Sequence, residues 1–487
     1  MHTPAQGIDS KTIRPSRPHA APLILLAGFV ALSTACAPDS PAAGFAIENV
    51  TVIDAANGVR ANQTVVVRGD TIVSVADAGA AAQVAEVVDG AGRYLIPGLW
   101  DMHVHLTYDD DLTPAMPGLF LRWGVTSIRD TGGLLHEVLP MVRAMRAEGA
   151  LAPRVFFAGP LLDGARVVYD GDGRPEIGVP NRGVEAARAN VAALVEAGVD
   201  FIKIYEMVTP EVFDALAADA ARRGLPIAAH VPLAMRAREV APRVHSMEHL
   251  RNVEMDCAIG ADRLLATRRA VLSEDPEEPG SALRSRLHSL QRLPAVAAVD
   301  PAECDQVLAA MTHTIQVPTL RLNAFSLRPP YARDDWFEAI EAAPEPIAAS
   351  WRATGEARRA APPVADTVFA AWSLRLVGDM YRRGIPIGAG TDTPINFSLP
   401  GYALHSELEM LVRAGLPPLE AIRSATIRPA EFFGLQAEMG SIAPGMRADL
   451  VLLGADPLAD ISNTRRIEAV VAGGRLLRAN DSPVPGR

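Results

Sequence analysis

Short runs of β-branched and apolar residues, interrupted by Gly, Asn and Asp, occur near both ends of the chain. They are residues 46–53, 64–68 and 71–75 in the first part, and residues 448–453 and 467–471 in the last part. Runs of this kind, bounded by turn-forming residues, are typical of strands. Because the two ends share this texture and the middle does not, we predict a small β-sandwich subdomain built from residues 45–96 together with residues 440–480.

The middle of the chain alternates between strand and helix patterns. Residues 199–205 form a short apolar run, and Thr209 with Pro210 then provides a helix N-cap and a first-turn proline. Strand-like runs of this type occur at residues 99–105, 125–130, 154–160, 199–205, 225–230, 244–249, 315–320 and 385–392. Eight parallel strands with helices between them predict an α/β fold, a (β/α)8 barrel of the TIM type over residues 97–439, with functional groups at the C-terminal strand ends.

A long interval, residues 254–370, interrupts this alternation around the seventh strand. It is rich in Pro, Arg and Ala and is too long for a bare loop. We therefore expect helical insertions that cover the mouth of the barrel.

The first 36 residues have the pattern of an export signal. Lys11, Arg14 and Arg17 precede an apolar run at residues 23–32, which is too short to span a bilayer and is followed by small residues up to Cys36. The stretch resembles a bacterial lipobox, with Cys36 as the lipidated first residue, and plain cleavage near Ala35 or Ala37 is the alternative. Either way we expect the mature protein to be exported to the periplasm. If Cys36 is lipidated, membrane contact is expected only through this N-terminal lipid anchor.

Charge and cysteine content narrow the classes of partner. The chain has 487 residues, 57 acidic against 46 basic, and a net charge of −11 without long single-sign runs, which argues against a nucleic-acid partner. Cys257 and Cys304 are the cysteines beyond the signal. They exclude a disulfide framework and leave room for a single bridge. Nothing in the sequence indicates an oligomeric state.

Ligand-type residues lie at the ends of the predicted barrel strands. His103 and His105 have the i, i+2 spacing that puts both imidazoles on one face of a strand. Such a pair can also be no more than a polar strand end. However, further groups close other strands at intervals that fit the β/α repeat: Lys203, His230, His249 and Asp392. Strand ends of a barrel converge on one mouth, so these residues together predict a metal site.

These residues lie in motifs through which the chain resembles the amidohydrolase superfamily of metal-dependent hydrolases, in the branch near imidazolonepropionases and Xaa-Pro dipeptidases. The resemblance covers essentially the whole mature chain. The motifs are Pro97-Gly-Leu-Trp-Asp-Met-His-Val-His105, Gly124-Val-Thr-Ser-Ile-Arg-Asp130, Asp200-Phe-Ile-Lys-Ile204, Ser246-Met-Glu-His249, Gly390-Thr-Asp-Thr393 and the ending that starts at Gly440-Ser-Ile-Ala-Pro-Gly445.

The resemblance implies two divalent metal ions as cofactors. It assigns His103, His105 and Asp392 to the more buried ion and His230 and His249 to the outer one. Lys203 would bridge both ions as a carbamate, that is, as N6-carboxylated lysine, because an ammonium cannot ligate a cation whereas a carbamate offers anionic oxygens. An ordinary ammonium beside a mononuclear site is the alternative. The ligands suit zinc and admit manganese, cobalt or iron.

The same resemblance implies a mechanism. A hydroxide that bridges the metals attacks the scissile carbonyl, and Asp392 takes the proton and passes it to the leaving amine. Tyr205 is two residues beyond Lys203 and therefore on the same strand face, where its hydroxyl could donate to the developing oxyanion, although a structural tyrosine is an equal alternative.

Other polar residues near the strand ends are weaker candidates. Arg129 and Asp130 close the second strand, where an internal ion pair is favoured over substrate or metal contact, and Arg321 is a guess for binding a substrate carboxylate. The remaining histidines near the mouth are expected to be structural or solvated; they are His136, His245, His313 and His405.

The function expected from all of this is metal-dependent hydrolysis of an amide or peptide-like C–N bond. The expected substrate is a small molecule, a dipeptide or an N-acyl amino acid. Hydrolysis of a cyclic or aryl amide on the same site is one alternative. Another alternative is a noncatalytic lipoprotein that uses the barrel as a binding scaffold. Loss of metal-ligand residues would favour this alternative, but every expected ligand position is filled.

Overall fold

A computed structural model describes residues 42–77, 79, 84–275, 277–363 and 367–478. The predicted export signal, residues 1–36 with Cys36, therefore lies outside the described residues. Within the described ranges, none of the helices combines the length and the apolar character needed to cross a membrane.

The strands of the described chain fall into two groups. One group lies near the two ends of the chain, and the other lies in its middle. They are β1 (Ala42–Asp54), β2 (Gly58–Arg68), β3 (Thr71–Asp77), β4 (Val84–Asp89), β5 (Tyr94–Pro97), β6 (Leu99–Val104), β7 (Val125–Asp130), β8 (Arg154–Phe157), β9 (Leu161–Asp163), β10 (Gly178–Pro180), β11 (Ile202–Ile204), β12 (Ile227–Ala229), β13 (Ser246–Glu248), β14 (Ile315–Val317), β15 (Leu450–Leu453), β16 (Ile467–Ala472) and β17 (Arg475–Arg478).

The helices connect the central strands and fill the long interval around β14. They are α1 (Met116–Arg122), α2 (Leu135–Glu148), α3 (Val184–Ala197), α4 (Pro210–Arg222), α5 (Ala237–Val240), α6 (Val253–Asp256), α7 (Ala261–Glu274), α8 (Gly280–Ala297), α9 (Pro301–Ala310), α10 (Leu320–Asn323), α11 (Asp334–Ala339), α12 (Glu345–Ala360), α13 (Val368–Arg382), α14 (Tyr402–Ala414), α15 (Pro418–Ser424) and α16 (Ile427–Phe432).

Both ends of the chain contribute to one eight-stranded sheet. Its order is β17-β16-β15-β5-β1-β2-β3, with β4 also paired to β1. In β1 and β2 the partners Ile47 and Val65 are both fully buried, and Leu450 of β15 is paired with Val471 of β16 in the same apolar core. The alternating pattern of the end segments therefore builds a subdomain with its own core, as expected from period-two burial.

The central strands form a (β/α)8 barrel. Two all-parallel sheets are present, β6-β7-β8 and β10-β9-β11-β12-β13-β14. On one side the segment after α13 joins them, through parallel bridges of Ile387 to Gln316 and of Thr393 to Val104. On the other side the backbone N–H of Asp200 donates to the carbonyl of Phe157 at 3.0 Å. The C-terminal ends of the central strands therefore lie together at one mouth of the barrel, where functional residues are found in this fold.

The eighth predicted strand differs from the expectation. Residues 385–392 carry isolated bridges and single backbone hydrogen bonds to β6 and β14 instead of a regular strand. The reason is its close approach to β6: a Cβ at Gly390 would lie 2.8 Å from the Cβ of His103, and one at Gly388 would lie 2.4 Å from the sulfur of Met102. The glycines permit this contact but shorten the run of ladder pairs.

The β/α unit around α4 follows the local sequence signals. Thr209 caps the helix by accepting from the N–H of Val212 at 3.3 Å, and Pro210 occupies the first turn. Phe213 and Leu216 are fully buried and pack into the main core. The helix therefore covers the barrel with the apolar face that the sequence predicted.

The interval at residues 254–370 is mostly helical, from α6 to α12, with β14 in its middle. Cys257, directly after α6, is joined to Cys304 of α9 by a disulfide, which is the single bridge for which the sequence left room. Arg284 and Arg292 of α8 line the cavity at the barrel mouth. The interval thus supplies part of the wall of that cavity.

Candidate metal centre

Two histidines and one aspartate come together at the mouth of the barrel. The Nε2 atoms of His103 and His105 lie 3.3 and 3.2 Å from Oδ1 of Asp392, and one ligand atom from each of the three residues lies within 4.8 Å of the others. All three side chains are buried. Nε2 of His249 lies 4.0 Å from the same oxygen. Imidazole and carboxylate groups at this spacing are a donor set for a divalent metal.

Asp392 and His249 both have left-handed backbone conformations, with φ of 59° and 58°. Non-glycine residues adopt this region at a cost in free energy, and such residues concentrate at functional sites. The backbone at these two strand ends is therefore bent to direct the side chains into the site.

Each of the four imidazoles has its Nδ1 occupied by an oxygen of the protein. His103 faces Glu248 at 2.6 Å and His230 faces Glu206 at 2.7 Å, while His249 faces the Thr319 hydroxyl at 2.8 Å. His105 uses the carbonyl of Gly132 at 3.2 Å. The carboxylate and carbonyl oxygens accept from Nδ1, which fixes the ring orientation and the tautomer of His103, His230 and His105 and leaves the Nε2 lone pair for a metal, while the hydroxyl at His249 fixes the orientation of the ring.

Lys203 is fully buried on β11, and its Nζ has no hydrogen-bond partner among the described residues. Burial lowers the pKa of this amine to about 8. A buried, unpaired ammonium is unfavourable, whereas a carbamate on the same nitrogen would suit cations beside it. This orphaned amine and the four oriented imidazoles fit the metal site that the sequence motifs imply.

The imidazoles are held largely in the neutral form that metal ligation needs. Burial lowers the pKa of His103 to about 4 and brings the pKa values of His230 and His249 well below the usual range. His105 is the exception: burial lowers its pKa, but the hydrogen bond and charge of Asp392 outweigh burial and raise it. Burial opposes ionisation of Asp392 as well, yet the surrounding imidazoles hold its pKa well below its ordinary value.

One cavity of about 320 Å³ opens over these groups. All the site residues predicted from the sequence line it: His103, His105, Lys203, Tyr205, His230, His249 and Asp392. The structure thus brings every one of them to the same cavity, whose volume is in the range of small-molecule sites.

Tyr205 lies beside His230. Its ring centroid is 4.4 Å from that of His230 and 5.9 Å from that of Tyr169. Burial raises the pKa of the Tyr205 phenol well above 10, so the hydroxyl stays protonated and can donate. The position is compatible with the oxyanion contact predicted from the strand register.

The weaker candidates have structural partners. Arg129 is fully buried and forms an ion pair with Glu248 at 2.8 Å, whereas Asp130 accepts from the N–H of Leu106 at 2.7 Å. Arg321 donates to the carbonyls of Thr391, Ile395 and Asn396, each at 2.9 Å. The guess that Arg321 binds a substrate carboxylate is therefore wrong, because its terminal nitrogens hold the loop that follows Asp392.

The other histidines lie away from the metal-type cluster. His136 and His313 are exposed. His245 accepts from the N–H of Ile227 at 3.0 Å, and His405 is buried between the Thr464 hydroxyl and the Trp123 carbonyl. The expectation of structural or solvated roles agrees with these contacts.

Several residues of the site were missed by the sequence analysis. Glu206 and Glu248 orient imidazoles, and they could have been suspected because they stand next to Tyr205 and His249 in strand-end motifs. Arg251, Arg284 and Arg292 line the cavity. The last two lie on α8 of the insertion, where no strand-end register exists to single them out.

The chain is similar to proteins of one family in sequence and in fold. A model of the amidohydrolase family matches residues 374–477. An adenine deaminase of Methylobacterium nodulans is 38% identical over 101 residues, which are 19% of this chain and 16% of that protein, so the similarity covers a small part of either.

Solved structures match over most of the length. A Xaa-Pro dipeptidase with methionine bound in its active site is 20% identical with a TM-score of 0.62, over 89% of this chain and 100% of that one. A putative prolidase from Bifidobacterium longum is 25% identical with a TM-score of 0.62, over 91% of this chain and 96% of that one. The fold of most of this chain is thus shared with these structures.

Proposed function

We propose that the chain is a member of the amidohydrolase superfamily and a metal-dependent hydrolase of an amide or peptide-like C–N bond, with a dipeptide or an N-acyl amino acid as substrate. The observation that carries the proposal is the set of buried ligand-type groups around one cavity, each imidazole oriented through Nδ1, with the unpaired amine of Lys203 between them. Neighbouring structures described as dipeptidase and prolidase support the substrate class.

The residues present fit two divalent ions, for which zinc suits the ligands. His103, His105 and Asp392 would hold one ion, His230 and His249 the other, and the N6-carboxylated amine of Lys203 would serve both. When bound, such ions make water a nucleophile at neutral pH and polarise the scissile carbonyl. Glu248 and Glu206 keep the imidazoles of His103 and His230 in place for this purpose.

The protein's own groups handle the proton and the oxygen of the substrate. The carboxylate of Asp392 accepts a proton from the attacking water as the new C–O bond forms, and then gives it to the leaving nitrogen as the C–N bond breaks. The protonated hydroxyl of Tyr205 donates to the carbonyl oxygen as that oxygen gains negative charge. Atoms and charge balance, with one water consumed and an acid and an amine released.

We also propose that the mature protein works in the periplasm, anchored through a lipid on Cys36. The basic residues, the short apolar run and the small residues before Cys36 support this location. Fractionation of cells that express the full chain, together with a Cys36→Ala variant, tests it. The variant should leave the membrane fraction, and equal distribution of the two proteins would refute the anchor.

The function is tested by metal analysis and a substrate panel on one preparation. We expect about two metal ions per chain, and chelator-sensitive turnover of dipeptides or N-acyl amino acids that returns when zinc and bicarbonate are added. Asp392→Asn should keep metal and lose rate, whereas Asp379→Asn, a change to an exposed side chain on α13, should keep both. No turnover after reconstitution would favour the scaffold alternative, and turnover confined to cyclic or aryl amides would replace the substrate class.

A further inference from the structure

Three arginines line the same cavity as the predicted ligands. Arg251 follows His249 by two residues, and Arg284 and Arg292 lie on α8, four residues on either side of His288 and therefore on one face of that helix. The side chains of Arg284 and Arg292 are only 11% and 21% exposed. Guanidinium groups in such surroundings need an anionic partner, because burial without one is unfavourable.

The protein's own carboxylates satisfy these arginines only in part. Arg284 is paired with Glu206 at 2.9 Å, and Nε of Arg292 is 3.6 Å from Glu254, too far for a hydrogen bond. The Nε atoms of Arg251, Arg284 and Arg292 are all buried without a hydrogen-bond partner in the part of the chain that the structure describes. The buried Arg268 interacts with the same two glutamates, so Glu206 and Glu254 do not balance the arginines around them.

The arginines are close to the hydrolytic groups. The guanidinium carbon of Arg284 is 5.8 Å from the ring centre of Tyr205, and Glu206 joins Arg284 to His230. Arg251 lines the same cavity and follows His249 by two residues. Burial and then Arg251 lower the pKa of Arg292 to about 10, so it remains charged at neutral pH.

We propose that Arg251, Arg284 and Arg292 form a carboxylate-binding wall that selects substrates with a free carboxylate near the scissile C–N bond. This inference rests on the proposed function and narrows it, because neutral cyclic and aryl amides cannot supply the missing negative charge. Carboxylate oxygens match the fork of guanidinium donors, and a substrate carboxylate supplies negative charge that these arginines lack. Arg321, the residue singled out from sequence, is not part of the wall, because backbone carbonyls already occupy its terminal nitrogens.

The first test measures binding without turnover. Metal-loaded protein is titrated with each of the twenty L-amino acids, as reaction products, and with the corresponding L-amino acid amides, which lack the carboxylate. At least one amino acid should bind roughly 10- to 100-fold more tightly than its amide, the range expected for hydrogen bonds to a charged group. Arg251→Met should remove that preference, and Arg263→Met, a change to an exposed arginine of α7, should keep it.

The second test is kinetic and uses N-acetyl amino acids and their uncharged amides as substrates. Wild-type protein should prefer the carboxylates, and Arg251→Met should lose this preference through a raised KM with a smaller change in kcat. Equal binding of amino acids and amides by the wild type, or an unchanged preference in Arg251→Met, overturns the wall. Absence of any hydrolysis would defeat the proposed function while the binding test still decides the inference, so the two failures are distinguishable.

Discussion

The buried pair of Glu248 and Arg129 offers a strong prediction about how the metal site is held. Glu248 accepts from Nδ1 of His103 at 2.6 Å, from Arg129 at 2.8 Å and from the Ser246 hydroxyl at 2.6 Å, and neither charged side chain is exposed. Glu248→Gln keeps the shape but removes the negative charge. Arg129 then remains as a buried cation without its counter-charge, which we expect to lower the free energy of unfolding by about 3–5 kcal/mol.

The same change should weaken metal binding for a separate reason. A glutamine amide can donate to Nδ1 of His103, which places the ring proton on Nε2, the atom expected to face the metal. We expect a loss of roughly 10- to 100-fold in zinc affinity, as for other partners that orient metal ligands. Urea unfolding of the metal-free protein measures stability, and competition with a zinc indicator measures affinity, so the two effects are read independently.

The matched control is Glu341→Gln, because Glu341 pairs with Arg352 on the surface, where both side chains are more than a third exposed. An exposed pair contributes less than about 1 kcal/mol, so this variant should resemble the wild type in both assays. If Glu248→Gln proves as stable and as tight in zinc binding as Glu341→Gln, the reasoning about the buried pair is wrong.

Three further predictions concern the site and its supports. Lys203→Ala should lose at least one metal ion per chain by elemental analysis, and retention of two ions with full turnover would refute the carbamate. Cys304→Ser opens a bridge across a sequence separation of 47 residues. The lower chain entropy of the unfolded, bridged protein contributes about 4 kcal/mol of stability for such a loop. The thermal midpoint of the variant should therefore fall to that of reduced wild-type protein, and an unchanged midpoint would contradict this. Gly390→Ala would place a Cβ 2.8 Å from that of His103. We expect a stability loss of about 1–3 kcal/mol with weaker metal binding, and normal values of both in denaturant and zinc titrations would show that the segment can move aside.

The barrel and the positions of the candidate ligands around its cavity were predictable because they follow from a repeat. Period-two and period-3.6 patterns locate the strands and helices, and the rule that function lies at C-terminal strand ends then singles out His103, His230 and Asp392. The eighth strand was only half predictable. Its apolar run is visible, but the close approach to β6 that Gly388 and Gly390 permit is a tertiary property, which the run itself does not reveal.

Ion pairs across the barrel could not be predicted from the sequence, for a different reason. Arg129 pairs with Glu248, which is 119 residues away, and not with the adjacent Asp130. Neighbouring residues on a strand point to opposite faces, so proximity in sequence argues against a contact between Arg129 and Asp130. A register argument could have paired Arg129 with Glu248 only if both strand ends had been aligned to within one residue, and single-sequence patterns do not fix strand boundaries that closely.

The candidate metal ligands and the arginines of α8 line the same cavity but lie on different parts of the fold. The imidazoles, Lys203 and Asp392 lie on or directly after barrel strands, and their orientation depends on the packed interior. Arg284 and Arg292 instead lie on α8 of the insertion. Within this insertion, the disulfide between Cys257 and Cys304 links the end of α6 to α9. Reaction chemistry and substrate choice can therefore vary separately. On this argument a relative with the same strand-end ligands but without the arginines of α8 should hydrolyse the same kind of bond in uncharged substrates. Exchange of residues 280–297 between two such proteins that both carry the arginine at position 251 should exchange their preference for a carboxylate while leaving metal content unchanged.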